Sequence, residues 1–252
     1  MKVAGVQHDI VWESPVETQG HVAPMIAAAA ADGARLVVLT EMYASGFSMA
    51  AERIAEPVGG RSTQFLVDQA QQHGVWIAGS VAVQPDDEDK PFNRLVLAAP
   101  DGATHMYDKI HPFSYSGEHE HFGAGDRSLT VDVEGVRTSF FVCYDLRFAD
   151  EFWARALDTD LYVVVANWPQ SRRSHWQALL PARAIENQAY VVGVNRVGDG
   201  NGTPYAGDSV IIDPLGETLA VAAPGEHVIA AEIDPARVQE VRKRYPFLQD
   251  RR

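Results

Sequence analysis

Several short stretches of this chain are wholly or largely apolar. Residues 36–39 read Leu-Val-Val-Leu, residues 161–166 read Leu-Tyr-Val-Val-Val-Ala, and residues 136–142 close on Phe-Phe-Val. Each is too short for a helix and lacks the polar–apolar alternation of a strand with one wet face. Such runs fit strands covered on both faces, the pattern of layered α/β proteins. Whatever sheet the chain builds, it must also supply cover for two sides of it.

Helical segments between the runs provide that cover. Ser14-Pro15-Val16-Glu17 reads as a capping box with proline at the first helical position. The helix it opens runs through the alanines at 27–31 and stops at Asp32-Gly33, with Gly20 and Pro24 predicting a kink or a late true start. A helix over 62–73 ends at Gly74. Residues 147–157 and 174–188 read as two more; a second capping box, Ser174 to Gln177, opens the latter and Pro181 bends it. Further strands are expected at 3–7, 75–83, 92–99, 103–107, 129–133, 190–195, 209–212, 218–221 and 228–233. Asp101-Gly102 and Glu134-Gly135 are hairpin signals. A short helix and tail end the chain. About a dozen strands would make a very large open sheet. Two sheets packed face to face with helices outside, a four-layer αββα sandwich, is the natural solution. No Pro/Ser-rich linker or internal repeat interrupts the sequence, so residues 1–252 are read as a single domain.

Charge narrows the function. The formal net charge is −13, from 34 acidic and 21 basic residues. That excess argues against nucleic acid or an anionic membrane as a partner, while a local arginine still permits an anionic small substrate. The amino terminus reaches polar residues too early for a signal sequence, no apolar stretch approaches a membrane span, and a lone cysteine fits a reducing compartment. The expectation is a soluble cytoplasmic protein.

That cysteine, Cys143, follows Phe-Phe-Val and precedes Tyr144-Asp145-Leu146-Arg147. Glu41 follows the strand at 36–39, and Lys109 follows the one ending at Tyr107. All three stand just past carboxyl ends of strands, where open α/β sheets assemble their sites. Taken singly, the cysteine is a small core residue and the other two are solvated loop residues. Taken together they suit acyl transfer: the thiol attacks, Glu41 takes its proton, and Lys109 as a nearby cation favours the thiolate. His111, Glu118, His119, Glu120 and His121 make a ligand-rich loop, but without the His-x-x-x-His face of a metalloprotease. No metal and no cofactor are expected.

The words around these residues resemble the carbon–nitrogen hydrolase (nitrilase) superfamily. Thr40-Glu41-Met42-Tyr43 through Met49, Tyr107-Asp108-Lys109-Ile110-His111 and Phe141-Val142-Cys143-Tyr144-Asp145-Leu146-Arg147-Phe148 match its three motifs in order and spacing. Ala166-Asn167-Trp168-Pro169, His175-Trp176 and Ala182-Arg183-Ala184-Ile185-Glu186-Asn187-Gln188 are similar to the bacterial ω-amidase branch. Ala149 stands where proline commonly follows Arg-Phe, and Pro181 interrupts the helix before Ala182.

The resemblance implies an αββα fold, a Glu41–Lys109–Cys143 triad and a homodimer. It also implies a second carboxylate, Glu118, with Glu120 as the competing choice. The implied reaction hydrolyses a small non-peptide amide to a carboxylic acid and ammonia through a thioester, with the Tyr144 N–H assisting at the oxyanion. α-Keto acid amides such as α-ketoglutaramate are the implied substrates. A deaminated-glutathione amidase or another amide or carbamoyl hydrolase is the alternative, and a non-catalytic binding protein is the rival of another class. A substrate carboxylate would call for arginine, with Arg172 and Arg173 as candidates. Tyr43, Phe47 and Trp168 are candidate pocket walls. Asp145, Arg183 and Glu186 read as structural.

Overall fold

The computed structural model describes residues 1–251. Its strands, in chain order, are β1 (Lys2–Gln7), β2 (Leu36–Val38), β3 (Glu56–Pro57), β4 (Trp76–Gln84), β5 (Phe92–Ala98), β6 (Thr104–Asp108), β7 (Leu129–Val133) and β8 (Val136–Val142). They continue with β9 (Leu161–Ala166), β10 (Tyr190–Asn195), β11 (Val197–Gly200), β12 (Thr203–Ala206), β13 (Val210–Ile212), β14 (Thr218–Val221) and β15 (His227–Glu232). Helices α1 (Pro15–Ala31), α2 (Ala51–Ile54), α3 (Arg61–His73), α4 (Glu118–His121), α5 (Ala149–Arg155), α6 (Arg173–Asn187) and α7 (Pro235–Arg244) connect them.

One sheet has the order β15-β1-β2-β4-β5-β6, with β3 beside β4, and the other the order β14-β13-β10-β9-β8-β7. Each is parallel at its centre, β1-β2-β4 and β8-β9-β10, and antiparallel toward its edges. Strands β11 and β12 form a separate hairpin.

Alternation along the buried strands builds the layers. On β2, Leu36 and Val38 face the second sheet, while Val37 pairs with α1 and α3 through Val22, Ile26 and Leu66. Across the second sheet, Phe152 of α5 and Leu180 of α6 close the opposite side. The order helix, sheet, sheet, helix is the expected αββα sandwich. The sheets come so close at their centre that a methyl group on Gly5 would lie 2.9 Å from Val194 Cγ2.

Local signals fared unevenly. Gly74 caps α3 in the left-handed region (φ 64°), its N–H donating to Ala70 O. Glu134 and Gly135 both take positive φ, as a tight hairpin turn requires. Neither capping box forms. The Ser14 hydroxyl donates to Glu17 Oε1 (3.0 Å) rather than accepting from the helix backbone. Ser174 lies inside α6, because a 3₁₀ turn at Gln170–Arg172 starts the helix earlier. Pro24 and Pro181 both sit within helices that run on past them. The segment read as helix from 147 is a 3₁₀ turn, Cys143–Arg147, followed by α5 and a second 3₁₀ turn, Ala156–Asp158. No helix among the described residues is long and apolar enough to cross a membrane.

Strands β2, β8 and β9 deliver their carboxyl ends to one rim. Two antiparallel pairings separate β6 from β4, so β6 ends there too. His8, just past β1, is buried at this rim. Its Nδ1 donates to Asp9 O (2.7 Å), which leaves Nε2 to accept from Thr40 Oγ1 (3.1 Å) beside Glu41. Burial pulls its imidazole down to about 4, so it folds neutral. Below the ordinary histidine range the unfolded chain gains a proton that the folded protein refuses, and stability falls as pH drops. The linked loss approaches about 3 kcal/mol by pH ~4. In urea melts, the wild type is expected to lose stability more steeply than His8→Gln between about pH 7 and pH 5; parallel slopes would contradict a neutral buried His8.

Candidate active site

Glu41, Lys109 and Glu118 meet in a dry cluster. Lys109 Nζ lies 2.8 Å from Glu41 Oε1 and 2.8 and 3.1 Å from the two oxygens of Glu118. All three side chains are buried. Glu118 opens α4, and its carboxylate also accepts the N–H of Phe113. Glu120, the competing candidate, faces solvent. Lys109 is held in place through its backbone, with Gly125 N–H donating to Lys109 O (2.9 Å). A methyl group on Gly125 would fall 2.1 Å from Asp108 O, so the chain passes here only as glycine.

Two asparagines complete the shell, and neither was singled out in the sequence. Asn93, on β5, donates from Nδ2 to Glu41 Oε1 (2.8 Å) and Glu118 Oε1 (3.1 Å). Its Oδ1 accepts from Ser80 Oγ (2.8 Å), which in turn accepts Met42 N–H (2.8 Å). Asn167, just past β9, donates its N–H to Glu41 Oε2 (2.8 Å) and its Nδ2 to Glu41 O. The first stands beside Arg94 in a strand whose remaining residues are apolar, and nothing in that local pattern marks it. The second stands at a strand's carboxyl end, as Glu41 and Cys143 do.

Cys143 sits where β8 turns into its 3₁₀ helix, with φ 46°. Left-handed backbone at a residue with a side chain costs about 1–3 kcal/mol and persists only where the surroundings fix it. Asp145 does much of that fixing. Its Oδ2 accepts Val142 N–H (2.9 Å) and Tyr107 OH (2.8 Å), and its Oδ1 accepts His111 N–H (3.0 Å). Arg183, on α6, donates from Nε and Nη2 to Leu146 O and from Nη1 to Glu186 Oε1 (2.9 Å). Asp145 and Arg183 thus brace the turn from opposite sides.

Electrostatics at the three groups is a balance of burial and charge. Burial alone would pull the Lys109 ammonium down, but Glu118 and Glu41 outweigh it and its pKa rises. Glu118 is pushed up by burial and then by Glu41, against the pull of Lys109. The Cys143 thiol is raised well above its ordinary value, first by burial and then by the Glu41 charge, and Lys109 does not compensate. Lys109 pulls the thiol pKa down, as a nearby cation should, but burial and the Glu41 charge outweigh it. The sulfur is a thiol until something takes its proton, and Glu41 is the nearby acceptor.

Cys143 opens onto a cavity of about 130 Å³ walled by Phe47, Phe113, Trp168 and Tyr205. Phe47 also covers Lys109, whose Nζ lies 5.2 Å from the ring centroid. Tyr144 and Arg172 line the same space. Two candidates do not. Tyr43 packs against Phe65 (centroids 6.1 Å apart) and donates its hydroxyl to Ser62 O (2.7 Å), because the chain reverses at Met42 (φ 40°) and turns the ring toward α3. Arg173 points outward to Asp208 (Nη2 to Oδ1, 2.7 Å). Arg147, which sequence reasoning passed over, does line the cavity.

A family model described as carbon-nitrogen hydrolase matches residues 2–243. The chain is 43% identical to omega-amidase YafV of Escherichia coli (strain K12), covering 99% of this chain and 96% of that protein. It is 36% identical to a 2-oxoglutaramate amidase of Bacillus subtilis (strain 168), covering 86% and 85%. Among solved structures it superposes on XC1258 from Xanthomonas campestris, described as a CN-hydrolase superfamily protein with an arsenic adduct in the active site. The TM-score is 0.95 at 38% identity, covering 100% of this chain and 97% of that one.

Two tests follow from the geometry. Alkylation of Cys143 by iodoacetamide is expected to keep accelerating with pH beyond about 8.5, where a free cysteine is half ionised; a plateau below that value would mean a resting thiolate. Asn93→Ala removes a donor shared by two carboxylates, so the acid limb of the pH–rate profile is expected to move to higher pH and kcat to fall about 10²-fold. An unshifted limb would show that Asn93 only fills space.

Proposed function

The chain belongs to the carbon–nitrogen hydrolase family, and we propose that it is an ω-amidase that opens the terminal amide of a short α-keto acid amide such as 2-oxoglutaramate. The observation that carries this reading is a lone thiol at a cavity floor, backed by a buried ammonium between two carboxylates. The likeness to two amidases over most of the chain supports it.

In the mechanism, Glu41 accepts the Cys143 proton as sulfur attacks the amide carbonyl carbon. Moving the thiol proton to the carboxylate as the C–S bond forms passes the negative charge on to the carbonyl oxygen and avoids ever isolating a buried thiolate, which suits the raised thiol pKa. The carbonyl oxygen becomes an oxyanion facing the Lys109 ammonium and the Tyr144 N–H. As the tetrahedral species collapses, the C–N bond breaks and Glu41 returns the proton to nitrogen, which leaves as ammonia. Water then adds to the thioester with Glu41 as base, and sulfur leaves as the thiol. Glu118 keeps Lys109 charged and oriented throughout.

The reading includes a cytoplasmic homodimer. Exposed apolar side chains at Ile185, Leu215, Leu219 and Val221 support an associating face, and a single free cysteine suits a reducing compartment.

Cys143→Ala is expected to lower ammonia release from 2-oxoglutaramate by about 10⁴-fold or more while leaving the fold intact. Rapid-quench mass spectrometry of the wild type is expected to trap an acyl adduct on Cys143. Full activity in the variant, or an adduct elsewhere, would remove the nucleophile from this account.

A further inference from the structure

The side chain of Asn167 has one edge in use and one edge open. Its Nδ2 donates to Glu41 O, and a backbone carbonyl only accepts, so the amide is fixed with Oδ1 on the other edge. Oδ1 is buried and receives no donor among the described residues. Asn167 also lines the cavity that holds Cys143. Two other asparagines at this rim are satisfied at both ends. Asn93 Oδ1 accepts from Ser80 Oγ while its Nδ2 serves Glu41 and Glu118. Asn195 Oδ1 accepts Trp168 N–H (2.7 Å) while its Nδ2 donates to Trp168 O and Gly207 O. A buried acceptor without a donor is rare, and here it stands beside the reacting groups.

The two oxygens of Glu41 differ in what they can still do. Oε1 already accepts from Lys109 Nζ and Asn93 Nδ2, both at 2.8 Å. Oε2 accepts one bond among the described residues, from Asn167 N–H (2.8 Å). Oε2 is therefore the oxygen with a lone pair free for proton traffic, and Asn167 is the residue bonded to it. Bracing Glu41 uses the backbone N–H and the Nδ2 of Asn167 and leaves Oδ1 over. The nitrogen that takes its proton from Glu41 carries N–H donors of its own, and the water that follows carries two O–H donors. Held by one acceptor, either molecule turns about that bond. A second acceptor fixes it: one water O–H on Glu41 and the other on Oδ1 aim a lone pair at the thioester carbon.

We propose that Asn167 Oδ1 accepts an N–H of the substrate amide during acylation and an O–H of the hydrolytic water during deacylation, which makes Asn167 a catalytic residue that favours amides over the corresponding esters. The proposal rests on the amide-hydrolase reading of this cavity and deepens it. In acylation the C–N electron pair stays on nitrogen and takes the proton from Glu41, while the N–H bonded to Oδ1 leaves intact with the ammonia. In deacylation the other water proton passes to Glu41 and from there to sulfur as the C–S bond breaks. Asn167 orients both partners and exchanges no proton. An ester presents a bare oxygen to Oδ1, so two acceptors meet and nothing is gained.

The test compares 2-oxoglutaramate with the methyl ester in which a methoxy group replaces its amide nitrogen, so that both give the same acyl-enzyme. Rapid quench separates acylation, read as ammonia or methanol released in the first turnover, from deacylation. Asn167→Ala keeps the backbone N–H on Glu41 and removes Oδ1. In that variant amide acylation is expected to fall about 10- to 100-fold and ester acylation by less than about 3-fold. Deacylation is common to both substrates and is expected to slow, so the ester leaves acyl-enzyme accumulated on Cys143. The acid limb of the pH–rate profile is expected to stay in place, because only a displaced Glu41 would move it. Asn167→Ser, a second variant without the amide oxygen, is expected to show the same loss of preference. The ratio within one variant cancels any shortfall of folded enzyme. Equal losses for amide and ester, or a shifted acid limb, would reduce Asn167 to a brace for Glu41 and overturn the proposal while leaving the amidase reading intact. Wild-type protein that releases no ammonia would reject both.

Discussion

The site depends on one ammonium held without water. Burying a lysine costs several kcal/mol, and Lys109 tolerates it only because Glu41 and Glu118 approach it from two sides. Those carboxylates are expensive to bury in their turn, and the fold meets that cost with neutral donors: Asn93 to both, the backbone of Asn167 to one, and the backbone of Phe113 to the other. The cluster is therefore a closed set of bonds. Removing any one member leaves a charge stranded in a low-dielectric interior, so these positions constrain one another more than they constrain the rest of the chain.

Two parallel-centred sheets explain how distant residues reach this cluster. Parallel strands deliver their carboxyl ends together, and packing two such sheets face to face brings two sets of ends to one rim. The first contributes Glu41 and Lys109, the second Cys143 and Asn167. The Tyr107–Asp145 hydrogen bond then links the end of β6 to the turn after β8. Geometry at the thiol accordingly reports the relative placement of both sheets.

Much of this was legible in advance, and the failures have identifiable causes. Uninterrupted apolar runs gave the layers because burial on both faces admits few alternatives. Glu41, Lys109 and Cys143 could be singled out because each follows a strand, a position defined by local pattern. Tyr43 was misjudged because a positive φ at Met42 redirects its ring, and a single dihedral leaves no periodic trace. Arg172 and Arg173 are neighbours in sequence with opposite fates, decided by Asp208, a residue brought close only by the fold. The two capping boxes had suitable residue types, yet the Ser14 side chain turned to Glu17 and an earlier 3₁₀ turn displaced Ser174. Asn93 escaped notice because its value lies wholly in tertiary contacts.

The raised proton affinity of Cys143 has a chemical consequence beyond turnover. Peroxide attacks thiolates far faster than thiols, and the first oxidation step, to sulfenic acid, requires the ionised sulfur. An enzyme whose sulfur stays protonated between encounters presents little of that reactive form to oxidants. Burial that raises the proton affinity of this sulfur thereby lowers the share of the form that oxidants attack.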